Sequence, residues 1–397
     1  MDWLFSVTFW LAISIVQLLF AYVLSPLAKF AIGYVSYMLT GTFITFLIKL
    51  RYEIYNEDLR LQPNQIKNRV LLITGASSGI GLVLARHFLS KGFIIVACYY
   101  SKSEPGYMEL SRLTSSKDQE QQRLYLIELD LRSQESISAC YSTVVNILAD
   151  NTSLQLHALL NVAGVGVLEK FQWTPTEKIR DMVETNLTGP MLMTRQFLHL
   201  LIKTPGARVV NVCSPMGIIQ FAYSSVYGPT KAALAHFSGN LECDLAKYGV
   251  KTVTIQPGNL MQHTAIISSS LSQKMSDTIA TLSEEERVLY NDEMIDHQKL
   301  LEKVARAYQR NRPFKELRPT RKLGIIVEGG LIEERLEDSV GFLRNFENSV
   351  YLLDPPREMF VGNMLYNLIW GSLLQWVPRI VFRDASPIYQ SIMKIFW

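Results

Sequence analysis

The run Arg69 to Thr74 (RVLLIT) breaks into Gly75-Ala76-Ser77-Ser78-Gly79-Ile80-Gly81, after which apolar residues recur at helical spacing through Leu82, Leu84, Ala85, Phe88 and Leu89. The pattern predicts a strand, a glycine turn and a helix. Glycines let backbone approach a ligand closely, and the helix N-terminus beyond them offers N–H groups and a partial positive charge to an anion such as a pyrophosphate. The placement between strand and helix carries the signal, since glycines alone also serve ordinary turns. Gly75, Ser77, Ser78, Gly79, Ile80 and Gly81 are the candidate phosphate-cradling residues.

Further apolar runs follow, separated by helix-length segments. Phe93 to Cys98 comes after Gly92, and Tyr125 to Leu129 ends in Asp130-Leu131. His157 to Leu160 leads into Asn161-Val162-Ala163-Gly164, Arg208 to Val212 into Cys213-Ser214, and Lys251 to Ile255 into Gln256-Pro257-Gly258. Strands alternating with helices predict an α/β fold, a Rossmann-type doubly wound parallel sheet covered on both faces. Ligands of such sheets sit beyond the carboxyl ends of the strands, where these small and polar residues fall.

Tyr227 and Lys231 stand four residues apart and share one face of a predicted helix. An ammonium beside a phenol is expected to favour the phenolate and to make a base that works near neutral pH. The same spacing also suits a packed ring beside a solvated amine, so the pair draws its meaning from the rest of the chain.

Over residues 67 to 265 the chain resembles the short-chain dehydrogenase/reductase family. The resemblance rests on Thr74 to Gly81, on Asn161 to Gly164, and on Asn186, Ser214, Tyr227 and Lys231. The separations of 13 residues (227 − 214) and 41 residues (227 − 186) fit the family's arrangement. The resemblance implies that Tyr227 exchanges a proton with the substrate oxygen. Lys231 would lower the pKa of Tyr227 and hold the cofactor ribose, Ser214 would orient the substrate oxygen, and Asn186 would hold a water linking Lys231 to solvent. It also implies a nicotinamide cofactor, NAD or NADP, held by the glycine turn, Asp130, Leu131, Asn161, Ala163, Gly164, Tyr227, Lys231, Pro257 and Gly258. NAD-preferring members often carry an acid at the end of the second strand, whereas this chain reads Cys98-Tyr99-Tyr100-Ser101-Lys102, so the preference stays open. Ser90 to Phe93, Arg208 to Asn211 and Pro257 to Leu260 look like the branch of membrane-associated retinol, hydroxysteroid and 3-hydroxybutyrate dehydrogenases. Departures fall at Cys213, where a second Ser is usual, and at Gln262, where many members have a Thr that Thr264 would replace.

The first fifty residues are of different material. Trp3 to Leu24 and Phe30 to Ile48 carry no charge, each approaches the ~20 residues that span a bilayer, and Pro26 and Lys29 separate them. One or two transmembrane helices, the two as a hairpin or as separate spans, are expected, with Lys49, Arg51, Arg60, Lys67 and Arg69 keeping the catalytic domain on the cytosolic side, most simply of the endoplasmic reticulum. The sequons at Asn151 and Asn186 then occur by chance. A net charge of +3, from 39 basic and 36 acidic residues spread through the 397, argues against a nucleic-acid partner. Cysteines at 98, 140, 213 and 243 lack metal-site spacing and are expected to be buried thiols.

The expected division is residues 1–66 as anchor and linker, 67–310 as catalytic domain with substrate lid, and 311–397 as a helical C-terminal extension. Ser283 and Glu286 read as a helix-starting capping box within the lid. Residues 311–340 are rich in Pro and Gly and are expected to be an insertion or linker. Met364 to Phe382 is expected to be an apolar helix that lies on the membrane or the lid, or packs on the domain's own core. Together these features suit a lipophilic alcohol of the steroid or retinoid type. The alternatives are a small soluble hydroxy acid such as 3-hydroxybutyrate and a non-catalytic nucleotide-binding module. The resemblance also implies a possible homodimer through the helices following Asn186 and Tyr227.

Overall fold

The computed structural model describes residues 13–16, 36, 61, 63–114, 122–167, 169–218, 223–257, 271–310, 342–352, 355 and 358–361. The apolar stretches before residue 49 (apart from 13–16 and 36), Gly258, Gln262, Thr264, residues 311–340 and the stretch Met364 to Phe382 lie outside the described residues. Among those described, no helix is long and apolar enough to cross a membrane. The elements below belong to one compact unit, Leu59–Met364.

Seven strands form one parallel sheet: β1 (Arg69–Ile73), β2 (Ile94–Tyr99), β3 (Leu124–Glu128), β4 (Gln155–Asn161), β5 (Arg208–Val212), β6 (Lys251–Pro257) and β7 (Glu358–Val361). Their order is β3-β2-β1-β4-β5-β6-β7, with every pairing parallel. The order reverses between β1 and β4, which opens a crevice at the strand ends there. The first six strands lie within two residues of the positions read from the sequence. β7 comes from within the predicted extension, beyond residue 310, and its four residues pair with β6 through Thr254 and Glu358 to Pro257 and Val361.

Alternation along the strands sends neighbouring residues to opposite faces and builds two cores. Leu71, Ile73, Ile95, Ala97, Leu160 and Val210 face one layer, covered by α1 (Gly79–Ser90) and by Phe346 and Val350. Val70, Leu72, Ile94, Val96, Leu159 and Val209 face the other, covered by α3 (Gln134–Asp150), α5 (Gly189–Ile202) and α6 (Tyr227–Leu245). All six residues of β2 are buried, as a strand covered on both faces requires. Four further helices are α2 (Pro105–Thr114), α4 (Thr176–Val183) and the lid pair α7 (Leu271–Ala280) and α8 (Glu284–Arg310). The capping box at the head of α8 forms as expected: Ser283 Oγ accepts from Glu286 N at 3.2 Å, and Glu286 Oε2 accepts from Ser283 N at 2.8 Å.

The last helix, α9 (Phe342–Tyr351), is fastened at the amino ends of the strands, opposite the crevice. Arg208, fully buried at the start of β5, donates to the carbonyls of Ser349 (3.1 Å) and Leu352 (2.6 Å). His157, at the start of β4, lies 2.9 Å from the Val350 carbonyl and 3.4 Å from Arg69 Nη1. A carbonyl only accepts, so Nε2 carries the proton and Nδ1 accepts from Arg69. Burial, with Arg208 and Arg69 nearby, holds His157 well below the usual imidazole range and keeps it neutral. Glu347 adds a pair with His87 of α1 at 2.9 Å.

Of the four cysteines, Cys98, Cys140 and Cys213 are buried as expected. Cys243 is exposed on α6, a correction to the expectation of buried thiols. Its helical register, which composition does not reveal, turns it outward.

Candidate active site

The glycine turn is closed by contact that only glycine permits. Gly75 sits at φ +66, and a Cβ there would meet Ala163 Cα at 2.8 Å; a Cβ on Gly81 would meet the Gly75 carbonyl at 2.1 Å. Gly79 also has a positive φ of 49. Ser78 caps α1 with no side-chain hydrogen bond of its own, so the first turn of a twelve-residue helix keeps its N–H groups directed at the crevice. Ser77 is fully buried and Ile80 packs into the core below the turn.

Thr74 joins this turn to the end of β4. Its Oγ1 accepts from Val162 N at 3.0 Å and Ala163 N at 3.1 Å, fixing the backbone that leads to Gly164. Thr74→Val is expected to strand two partly buried N–H groups and lower stability by about 1–3 kcal/mol. A denaturation midpoint equal to the wild type's would remove Thr74 from this role.

Asn186 lies fully buried in a π-helical turn, Glu184–Thr188, between α4 and α5. Such one-turn bulges frequently mark functional positions, because they redirect a side chain without ending the helix. The Asn186 amide accepts from Val165 N at 2.8 Å and donates to the Val165 carbonyl at 2.7 Å and to Thr230 Oγ1 at 3.2 Å. Burial and these bonds leave the Asn186 sequon inaccessible to glycosylation in the folded chain. Neither Val165 nor Thr230 was evident from the sequence as a partner. Gly164 runs beneath the site: a Cβ there would lie 3.3 Å from Lys231 Nζ and 3.4 Å from Asn186 Oδ1, so these two groups converge above it.

Ser214 follows β5 and heads the 3₁₀ turn Pro215–Gly217, where its Oγ accepts from Met216 N at 3.3 Å. Tyr227 opens α6, and Lys231 stands one turn on with its Nζ 5.9 Å from the Tyr227 ring centroid. Lys231 is 3% exposed and donates to the Val212 carbonyl at 3.0 Å. The structure corrects the expected phenolate. Burial pushes the Tyr227 phenol up to about 12, the hydrogen bond with Ser214 pulls the other way, and nearby Cys213 adds to the rise. Burial also lowers the pKa of Lys231. Depth in the fold outweighs the four-residue spacing.

Several of the predicted cofactor residues have partners within the protein. Asn161 turns into the sheet, where its Nδ2 donates to Asn211 Oδ1 at 2.8 Å, and Asn211 in turn donates to Ser238 Oγ at 2.8 Å. Leu131 is buried against Gly189. Asp130 is engaged by Arg132, whose backbone N and Nε reach Oδ1 at 2.9 and 3.0 Å while Nη2 reaches Oδ2 at 2.9 Å. These bonds hold the Asp130 carboxyl below the usual range. Arg132 was missed, as was Glu104, which reaches the glycine turn from beyond β2. Pro257 ends β6 beside Val361. Among the described residues, no cluster of three or more His, Cys, Asp or Glu could hold a metal ion.

On one side of the crevice, the lid pair packs Met275, Met294 and Leu301 around Trp173. Buried Glu169 accepts from Lys178 at 2.8 Å and from Thr278 of α7 at 2.7 Å, fastening the lid to the domain. Tyr223, four residues before Tyr227, stacks on His297 of α8 at 4.4 Å and holds a left-handed φ of 65.

A doubly wound sheet, a glycine turn against a helix N-terminus, and a Ser, Tyr and Lys at the ends of β5 and the start of α6 define a dinucleotide-binding protein with a proton-handling site. The family model described as short chain dehydrogenase matches residues 69–274, and the chain belongs to that family. It is 33% identical over 242 residues to estradiol 17-beta-dehydrogenase 2 of Rattus norvegicus, covering 61% of each chain. It is 32% identical over 240 residues to 11-beta-hydroxysteroid dehydrogenase type 2 of Bos taurus, covering 60% of this chain and 57% of the relative. It is also 32% identical over 224 residues to mitochondrial D-beta-hydroxybutyrate dehydrogenase of Mus musculus, covering 55% and 63%. The chain thus spans less than two thirds of the length of these relatives. NAD or NADP is consistent with the family, and the residues present fit such a group: Gly75 and Gly79 take left-handed backbone in the turn that leads into α1, and Lys231 Nζ lies 3.3 Å from where a Cβ on Gly164 would stand.

Proposed function

We propose that this chain is a membrane-associated oxidoreductase that interconverts a lipophilic secondary alcohol and its ketone, of hydroxysteroid or retinol type, with NAD or NADP. The observation that carries the reading is the convergence of Ser214, Tyr227 and Lys231 beside a glycine turn. A module that only bound the nucleotide would have no use for that proton-handling group. A bound nicotinamide supplies the hydride acceptor or donor. The protein supplies the proton: in the reducing direction the Tyr227 phenol gives it to the carbonyl oxygen, which Ser214 orients. Lys231 would hold the ribose of the bound cofactor and, with Asn186 above Gly164, would connect the phenol to solvent.

Two of the relatives carry steroid activities in their names, which supports the lipophilic substrate. The hydroxybutyrate relative supports a second reading, a small hydroxy acid. The uncharged stretches before residue 49 and their basic flank support anchoring, with the catalytic domain in the cytosol on the endoplasmic reticulum; α5 and α6 are the proposed faces of a homodimer. Full-length protein screened against lipophilic alcohols, their ketones and 3-hydroxybutyrate, with both cofactors and read by nicotinamide absorbance, is expected to turn over the lipophilic pairs. Turnover of 3-hydroxybutyrate alone would select the second reading.

The protonated phenol sets the sign of the pH dependence. Ketone reduction uses the form already present, whereas alcohol oxidation needs the phenolate, so kcat/KM for oxidation should climb between about pH 7 and 10 while that for reduction does not. The same profile in both directions would place the proton on another group.

A further inference from the structure

We infer that Glu104 is the carboxylate that selects NAD over NADP, an assignment that rests on the proposed oxidoreductase reading. The end of β2 carries no acid in Cys98-Tyr99-Tyr100-Ser101-Lys102, but the fold returns one to that place from five residues beyond Tyr99. Glu104 Oε2 accepts from the Ser77 hydroxyl of the glycine turn, from Tyr100 N at 3.2 Å and from Ser101 N at 3.5 Å. The seat is built by close packing: Gly106 N donates to the Ser77 carbonyl at 2.9 Å, and a Cβ on Gly106 would lie 2.3 Å from that oxygen. The first turn of α2 therefore rests directly on the glycine turn and carries the half-buried carboxylate with it.

All three donors land on Oε2. Among the described residues Oε1 accepts nothing, which leaves one carboxylate oxygen to take a ribose hydroxyl at the place where dinucleotide folds use an acid for that purpose. A 2′-phosphate brought to the same place would meet a fixed negative charge. The surrounding cations do not offset it. Arg132, 5.5 Å over the Tyr100 ring, commits its donors to Asp130, to Asp181 at 2.9 Å and to the Tyr100 hydroxyl at 2.9 Å. Lys102 is exposed, on the solvent side of the turn.

Titration of the full-length protein in detergent with NADH and with NADPH, followed by calorimetry without substrate, tests the assignment. The wild type is expected to bind NADH at least about tenfold more tightly, equivalent to about 1.4 kcal/mol. Glu104→Gln keeps an acceptor for Tyr100 N and Ser101 N while removing the charge, and should narrow the ratio to within about threefold, mainly by tighter NADPH binding. Lys102→Ala should retain the wild-type ratio. Equal wild-type affinities, a ratio unchanged in E104Q, or an NADPH preference that disappears in K102A would overturn the role of Glu104 while leaving the oxidoreductase reading intact. Binding of neither cofactor by the wild type would overturn that reading, and the assignment with it.

Discussion

Tyr227→Phe is expected to lower turnover by about 10²- to 10⁴-fold, the contribution of a positioned acid or base. The substitution removes one oxygen and keeps the ring. The start of α6, the Thr230 bond to the Tyr227 carbonyl at 2.7 Å and the Lys231 bond to Val212 do not involve the phenol. The variant should therefore fold with an unchanged melting temperature and bind its cofactor with an affinity within about threefold of the wild type. Loss of rate with retained binding separates proton transfer from positioning. Full turnover by the variant would remove Tyr227 from the chemistry, and loss of binding would make it a structural residue.

Gly81→Ala should produce the largest structural effect of an added methyl group among the described glycines. The added Cβ would lie 2.1 Å from the Gly75 carbonyl oxygen, 2.8 Å from its carbon and 3.0 Å from Ala76 Cα, all of them backbone. No side chain can rotate away, so the turn and α1 must separate. Overpacking typically costs about 1–3 kcal/mol, and a clash with rigid backbone belongs at or above the upper end. Separation also spoils the anion seat, because the N–H groups of the first turn of α1 no longer converge. The expected result is a lower denaturation midpoint together with at least a tenfold loss of nucleotide affinity. A variant with normal stability and binding would mean that the turn does not cradle the phosphates.

Six of the seven strands were legible because each is a local apolar run that ends in a small or polar residue, and the separations of Ser214 and Asn186 from Tyr227 supported the family resemblance from which a site spanning three elements is proposed. β7 was not legible: four residues have too little pattern, and they become a strand only by pairing with β6, about a hundred residues earlier in the chain. Arg208 reads as an ordinary charged residue at a strand start, and its burial is explained by the carbonyls of Ser349 and Leu352 together with that of Gly206. Asn161 matched a motif, yet its amide turned toward Asn211 inside the sheet.

Alternation and local breaks were sufficient for the parallel sheet and the glycine turn, since both follow from local periodicity, whereas the roles proposed for Ser214, Tyr227 and Lys231 came from the resemblance to the family. The protonation of Tyr227 and the charge beside the glycine turn were decided by the tertiary structure alone. The first depends on how deeply the phenol and Lys231 are buried, and the second on Gly106 seating Glu104 against Ser77. Neither depth nor contact between distant segments is encoded in the spacing of neighbours.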